Sequence, residues 1–235
     1  MNEPVYLDYN ASAKVRPRAA EAVAEALARG GNPSSVHAAG RAARVLVETA
    51  RADVATLVGA TPDAVTFVSG GTEADALALE SALAAGFGRV IVGATEHEAV
   101  RETAAVVGVE VWPVDGAGLA DLGWLEARLA AGPPALVCLM LANNETGAIQ
   151  PVAAASRMVG EAGGWLHVDA VQAAGKIAVD FGSLGADTMA LSAHKLGGPQ
   201  GTGALIAGPR AALARRLHGG GQERGLRAGT ENVPG

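Results

Sequence analysis

The chain has 235 residues, 49% of them hydrophobic, and a formal net charge of -6, which is enough apolar material for one sizeable core. Its acidic and basic residues are interspersed, so there is no electrostatic footprint for nucleic acid or an anionic membrane surface. A single cysteine, Cys138, excludes an internal disulfide framework and suits a reducing, cytoplasmic setting.

In chain order, two helices are expected first, over residues 17–29 and 36–58, each stopped by glycine at Gly30-Gly31 and at Gly59. From there short apolar runs alternate with Ala-rich segments of helical period. Strands are expected over 64–68, 89–94, 109–114, 135–142, 165–168, 188–192 and 203–207. Helices are expected between most of them, over 72–85, 97–107, 122–131 and 152–162, with a shorter one near 210–217. The longest apolar run, 135–142, is far too short to span a bilayer, and no basic-then-apolar leader opens the chain. This alternation predicts an α/β domain whose sheet is laid down by right-handed crossovers. In such sheets ligands bind outside the carboxyl ends of the strands, so the residues just after each strand are the ones to search.

The first such segment is Phe67-Val-Ser-Gly-Gly-Thr-Glu73, a strand running through two glycines into a helix. Glycines let the backbone approach an anion, and the free amides at a helix start attract phosphate; the same pattern also suits Thr72 as a plain N-cap. It matches neither the P-loop nor the dinucleotide fingerprint. Next, Trp165-Leu-His-Val-Asp-Ala-Val-Gln172 puts Asp169 directly after a buried strand, where a carboxylate can hold a heterocyclic nitrogen protonated or simply cap a helix. Gln172 lies close enough in sequence to join it.

Ala190-Leu-Ser-Ala-His-Lys-Leu-Gly-Gly-Pro199 carries Lys195, one of only three lysines, at another strand end, with Ser192 and His194 beside it. Burial there lowers an amine's pKa, as a Schiff-base lysine requires. His97 opens a helix after a strand, where an imidazole can stack on a ring, move protons or pack against backbone. Asn143-Asn-Glu145 follows the strand that contains Cys138, which reads as a small buried hydrophobe. A hydrolase is disfavoured because no G-x-S-x-G elbow occurs. The five histidines are scattered without ligand spacing, which disfavours a metal site.

Together these segments resemble the class V aminotransferase family of pyridoxal 5′-phosphate (PLP) enzymes, and within it the cysteine desulfurases that supply sulfur for iron–sulfur clusters or other sulfur-containing cofactors. The resemblance runs the length of the chain, from Tyr6-Leu-Asp-Tyr-Asn-Ala11 and Asn32-Pro-Ser-Ser-Val-His37 through the segments above to His218-Gly-Gly-Gly and Gly229-Thr-Glu-Asn232. It implies the fold type I large domain, with a mainly parallel mixed sheet of about seven strands over residues 16–235. Residues 1–15 are then a segment that packs with a C-terminal small domain missing from this sequence.

Carried over by position, the resemblance makes Lys195 the Schiff-base lysine and proton shuttle and lets His97 stack on the ring. Asp169 bonds the pyridine nitrogen, and Gln172 and Asn144 the ring hydroxyl. Gly71, Thr72, Ser192 and His194 hold the phosphate, with Thr230 reaching it from the second subunit of a homodimer. Asn10 and Asn144 lie near the substrate, L-cysteine, which yields alanine while its sulfur passes to an enzyme persulfide and then to an acceptor protein. The family's catalytic cysteine and its substrate-binding arginine fall downstream of Gly235, and Asn10-Ala-Ser-Ala13 replaces a more usual Ala-Thr-Thr type of sequence. The 235 residues are therefore expected to supply the cofactor half of the site, with little or no desulfurase turnover of their own. Another class V activity, selenocysteine lyase or aminotransferase, and a non-catalytic PLP-binding fragment remain the alternatives.

Overall fold

The computed structural model describes residues 5–235. Two helices precede the sheet, α1 at Pro17–Arg29 and α2 at Ala38–Leu57. His37 caps α2 by accepting the Gly40 N–H at its Nδ1, 3.3 Å away. Along α2 the buried positions Ala43, Val47, Arg51 and Ala55 recur every four residues, so one stripe faces the sheet. None of the α1 residues is buried, although its pattern is amphipathic.

Seven strands follow: β1 Val65–Val68, β2 Val90–Gly93, β3 Glu110–Trp112, β4 Leu136–Cys138, β5 Trp165–Asp169, β6 Thr188–Ser192 and β7 Gly203–Ala207. They lie in the order β1-β7-β6-β5-β4-β2-β3. The pairs β2·β3, β2·β4, β4·β5 and β5·β6 are parallel, and β7 is antiparallel to both its neighbours. The expected mainly parallel mixed sheet is thus present. Alternate side chains feed two cores. Ile91, Val137, Leu166 and Met189 join the face covered by α2, α5 (Leu122–Ala130) and α6 (Val152–Glu161). Val90, Val92, Leu136, Cys138 and Ala190 join the face covered by α3 (Gly71–Ala84) and α4 (Glu98–Ala105). A sheet covered on both sides needs strands that are apolar throughout, and β4, β5 and β6 are buried at every position.

The helix expected over 210–217 does not form. Instead the Ala214 N–H donates to Ser81 Oγ at 2.9 Å, Arg216 pairs with Glu80, and Ala211 and Leu213 pack on the core face of α3. Burial two residues apart is the period of an extended chain, and these anchors override the high helix propensity of an Ala-, Leu- and Arg-rich stretch. A short helix that the apolar pattern misses, α7 at Phe181–Leu184, starts where Asp180 Oδ1 accepts the Ser183 N–H at 2.7 Å. Strand β4 is shorter than the apolar run 135–142, but that run keeps bonding to β5: Leu139 N donates to His167 O and Leu141 N to Asp169 O, at 3.1 and 2.8 Å. Among the described residues no helix is long and apolar enough to cross a membrane.

Candidate active site

The carboxyl ends of β1, β2, β4, β5 and β6 surround one cavity of about 440 Å³. From β1 the chain turns through Ser69-Gly70 into α3, whose start no side chain caps, leaving its first-turn amides without helical partners. Two glycines make this approach possible. A Cβ on Gly203 of β7 would stand 2.6 Å from the Gly70 Cα, and one on Gly71 would stand 2.8 Å from Val171 Cγ2. Any larger residue at either position would push the helix start away from the sheet. Glu73 closes the turn by accepting the Ser69 N–H at 2.6 Å, and it pairs with Arg227 at 2.9 Å.

His97 caps α4 just after β2, its Nδ1 accepting the Ala99 N–H at 3.1 Å, so in the neutral ring the proton sits on Nε2. After β4, Asn143 Oδ1 accepts from Glu145 N and Thr146 N at 2.9 and 2.8 Å, a local turn that leaves the neighbouring Asn144 lining the cavity. Asp169 ends β5 and accepts the Val171 N–H at 2.8 Å. Lys195 closes a short 3-10 turn, Ala193–Lys195, that continues β6. Its Nζ donates to the backbone oxygens of Asn10 and Ala11, at 2.6 and 3.0 Å. The amino-terminal segment is thereby drawn across the mouth, and the Ala13 N–H, donating to His194 O at 2.8 Å, holds it there.

The charges in this cavity are strongly perturbed. Asp169 is buried, and that burial, reinforced by the charge of Asp75, pushes its pKa up to about 7. Asp75, on the first turns of α3, is 1% exposed and is pushed to about 8 by the same loss of water. Its Oδ1 lies 3.0 Å from His167 Nε2, and His167 Nδ1 lies 3.0 Å from Thr188 Oγ1 on the adjacent strand. Burial lowers the His167 pKa to about 4, so at neutral pH the Asp75–His167 contact is a hydrogen bond rather than an ion pair. Glu96 lies deeper. Burial and then the Asp169 charge raise its pKa well above the usual range, and its Oε2 has no hydrogen-bond partner. Lys195 moves the other way: burial lowers its pKa, with Asp169 and Asp8 opposing.

Of the residues singled out from the sequence, Asn10, Gly71, Thr72, His97, Asn144, Asp169, Gln172, Ser192, His194 and Lys195 all line this cavity. Thr230 does not. It is exposed, and its neighbours Gly229 and Glu231 border a separate, more apolar cavity of about 220 Å³ between α2 and the carboxyl-terminal residues. Cys138 is buried in β4, and burial raises its thiol pKa well above the ordinary value. Asp75 and Asp8 also line the site but were not anticipated. The available signal for Asp75 was a carboxylate flanked by alanines, Ala74 and Ala76, on the apolar side of α3.

The family model described as aminotransferase class V matches residues 5–235. A cysteine desulfurase of Frankia sp. (strain EuIK1) is 45% identical over 254 residues, covering 98% of this chain and 59% of its own length. One from Cereibacter sphaeroides is 44% identical, with 99% and 62% covered. Among solved structures, a NifS-like protein from Rickettsia africae ESF-5 superposes with a TM-score of 0.93 at 36% identity, over 99% of this chain and 66% of that one. The chain thus spans about three fifths of the length of these curated relatives.

Proposed function

The chain belongs to the class V aminotransferase family, and on that premise we propose that it is the cofactor-binding part of a PLP-dependent cysteine desulfurase. The reaction assigned is conversion of L-cysteine to L-alanine, with sulfur passing to an enzyme persulfide and then to an acceptor protein. One observation carries this reading. An amine and a carboxyl group from the ends of adjacent strands, Lys195 and Asp169, line a single cavity with the bare helix start at Gly71-Thr72. The cysteine desulfurases among the relatives support the choice within the family.

The residues present fit PLP. Its phosphate needs concentrated donors, and the α3 amides, Thr72, Ser192 and His194 provide them where the small Gly71 lets the backbone come close. Its ring nitrogen needs a carboxylate; of the two buried at the cavity wall, Asp75 is engaged with His167, and Asp169 ends the strand next to the one that leads to Lys195. When bound, PLP supplies an aldehyde that takes up an amino group and a ring that accepts the electron pair released at the α-carbon.

The chain's own residues bind, orient and move protons around it. Burial of Lys195 enlarges the fraction of free amine at neutral pH, which suits a base that takes and returns a proton at Nζ. With PLP bound, Asp169 would keep the ring nitrogen protonated, Gln172 and Asn144 would donate to the ring oxygen, and His97, fixed by its bond to the Ala99 amide, would lie against the ring. Asn10 and Ala11 hold the Lys195 amine at the mouth through their backbone oxygens.

The same reading assigns Asn10 and Asn144 to the substrate and Thr230 to the phosphate in the partner subunit of a homodimer. It assigns residues 1–15 to a segment packing on a further domain; residues 1–4 lie outside the described residues. The single buried thiol supports a cytoplasmic, reducing location. Borohydride reduction of PLP-loaded protein followed by peptide mapping is expected to find the pyridoxyl group on Lys195. A folded, PLP-supplied chain with that amine unlabelled overturns the proposal.

A further inference from the structure

Lys176 lies in the turn that follows β5 and carries no role in the function described above. It does not line the cavity, yet it is bonded to two residues that do. Its Nζ donates to Asn10 Oδ1 at 3.1 Å and to Gln172 Oε1. Gln172 Nε2 in turn donates to the backbone oxygen of Asn10 at 2.8 Å, and Asn10 Nδ2 donates to the backbone oxygen of Asn144 at 2.9 Å. One ammonium therefore joins the turn after β5 to the amino-terminal segment and, through Asn10, to the loop after β4.

The chemistry of that ammonium fixes more than position. It has three donors and no acceptor, so it can only be faced by oxygen. Both side-chain amides present their oxygen to Lys176, and each is left with only its NH2 group to turn elsewhere. A flipped Gln172 would put its oxygen toward the cavity, where it would repel a negatively charged ring oxygen instead of donating to it. The Asn10 and Asn144 backbone oxygens hold the NH2 ends of these amides, and Lys176 holds the oxygen ends, so removing the lysine leaves each amide with one of its two orienting partners.

We propose that Lys176 is a positioning residue that, together with the Asn10 backbone oxygen, fixes the Gln172 amide with its oxygen turned to the lysine and its NH2 group left to face the ring oxygen, and ties the amino-terminal segment over the site. The inference rests on the PLP reading above and deepens it, by assigning the orientation of the ring-oxygen donor to a residue outside the cavity. Because Lys176 is exposed, its removal leaves no buried polar group behind and the fold should survive.

Three measurements test it. In the cofactor-free chain, Lys176→Met is expected to speed amide exchange over residues 8–13 relative to wild type, a readout that needs no PLP. By PLP titration, Lys176→Met should raise the dissociation constant about fivefold, as loss of roughly one net hydrogen bond implies, and Lys176→Arg should restore it to within about twofold. Gln172→Met should weaken binding similarly, and adding Lys176→Met to it should cost clearly less than Lys176→Met costs alone, because the lysine acts in part through that amide and otherwise through Asn10. An unchanged dissociation constant in Lys176→Met, or additive losses in the double variant, overturns the proposal. Failure of the wild-type chain to take up PLP would instead sink the cofactor reading, and unchanged exchange over residues 8–13 would then still refute the tie made by Lys176.

Discussion

Asp169→Asn should move stability and cofactor binding in opposite directions. The carboxyl is 5% exposed, and its pKa is raised from 3.8 to about 7, first by burial and then by the Asp75 charge. A carboxyl whose pKa is raised by folding binds its proton more tightly in the folded state. It therefore costs nothing below the unfolded value, costs progressively more between about pH 4 and 7, and costs a constant amount above that. The full shift corresponds to on the order of 4 kcal/mol at alkaline pH. Asparagine keeps the shape and can still accept the Val171 N–H, and it never ionises. Cofactor-free Asp169→Asn is therefore expected to be about 2–4 kcal/mol more stable than wild type at pH 8 and equal to it near pH 4. With PLP the order reverses. The ring nitrogen loses its buried counter-charge, and binding should weaken by about 2–5 kcal/mol, which is roughly 30-fold or more. Urea unfolding of the cofactor-free proteins across pH 4–9, paired with PLP titration, measures both. A variant no more stable than wild type at pH 8 would refute the assignment of Asp169 as a strained buried acid, and undiminished PLP affinity would refute its role at the ring nitrogen.

Three more outcomes follow from the packing around the site. Arg51 and Glu223 are both buried and paired at 2.8 Å, with Phe67 N also donating to Glu223 at 3.0 Å, so Arg51→Met should cost about 3–5 kcal/mol in urea unfolding by stranding the carboxylate. Arg51→Met combined with Glu223→Leu should recover most of that loss. Gly203→Ala places a methyl 2.6 Å from both the Gly70 Cα and Leu191 O, and should cost about 1–3 kcal/mol while weakening phosphate-dependent PLP binding more than binding of pyridoxal. The Cys138 thiol, fully buried, should react with a disulfide reagent only at the rate of unfolding, so modification of the native protein within seconds would contradict its placement in β4.

Strand ends were legible from the sequence because each carries its own local marker. Ser69-Gly-Gly-Thr72, Asp169 and Lys195 each follow an apolar run closely enough to be read as outside a sheet, and the sheet then gathers them. What stayed hidden depends on partners far away in the chain. Asp75 and His167 meet across 92 residues, and nothing in either segment alone says that a helix carboxyl will face a strand imidazole. The stretch 210–217 misleads for the same reason: its local propensity is helical, and only the far side of α3 holds it extended. Lys176 looked like a surface lysine and is one by exposure; its importance lies in Asn10, 166 residues away.

The hidden layer also places three carboxyl groups where ionisation is costly. Asp75, Glu96 and Asp169 are all buried, and each raises the pKa of at least one of the others or is raised by it. Among the described residues none of the three forms an ion pair with an arginine or lysine; Lys195 and His97 act on Asp169 only through space, and His167, which touches Asp75, is held neutral by the same burial. Burial makes ionisation of these acids costly, so each holds its proton to a higher pH than a free carboxyl does. On the PLP reading, a protonated ring nitrogen would supply positive charge to Asp169, since Glu96 does not line the wall and Asp75, which does, is engaged with His167. Ionisation is thereby confined to one of the three, with Asp75 kept neutral against His167 and Glu96 kept neutral behind them. The cost of ionising Asp169 thus becomes selectivity for a ring that carries a proton on nitrogen, since a neutral heterocycle would leave the same three acids as they were.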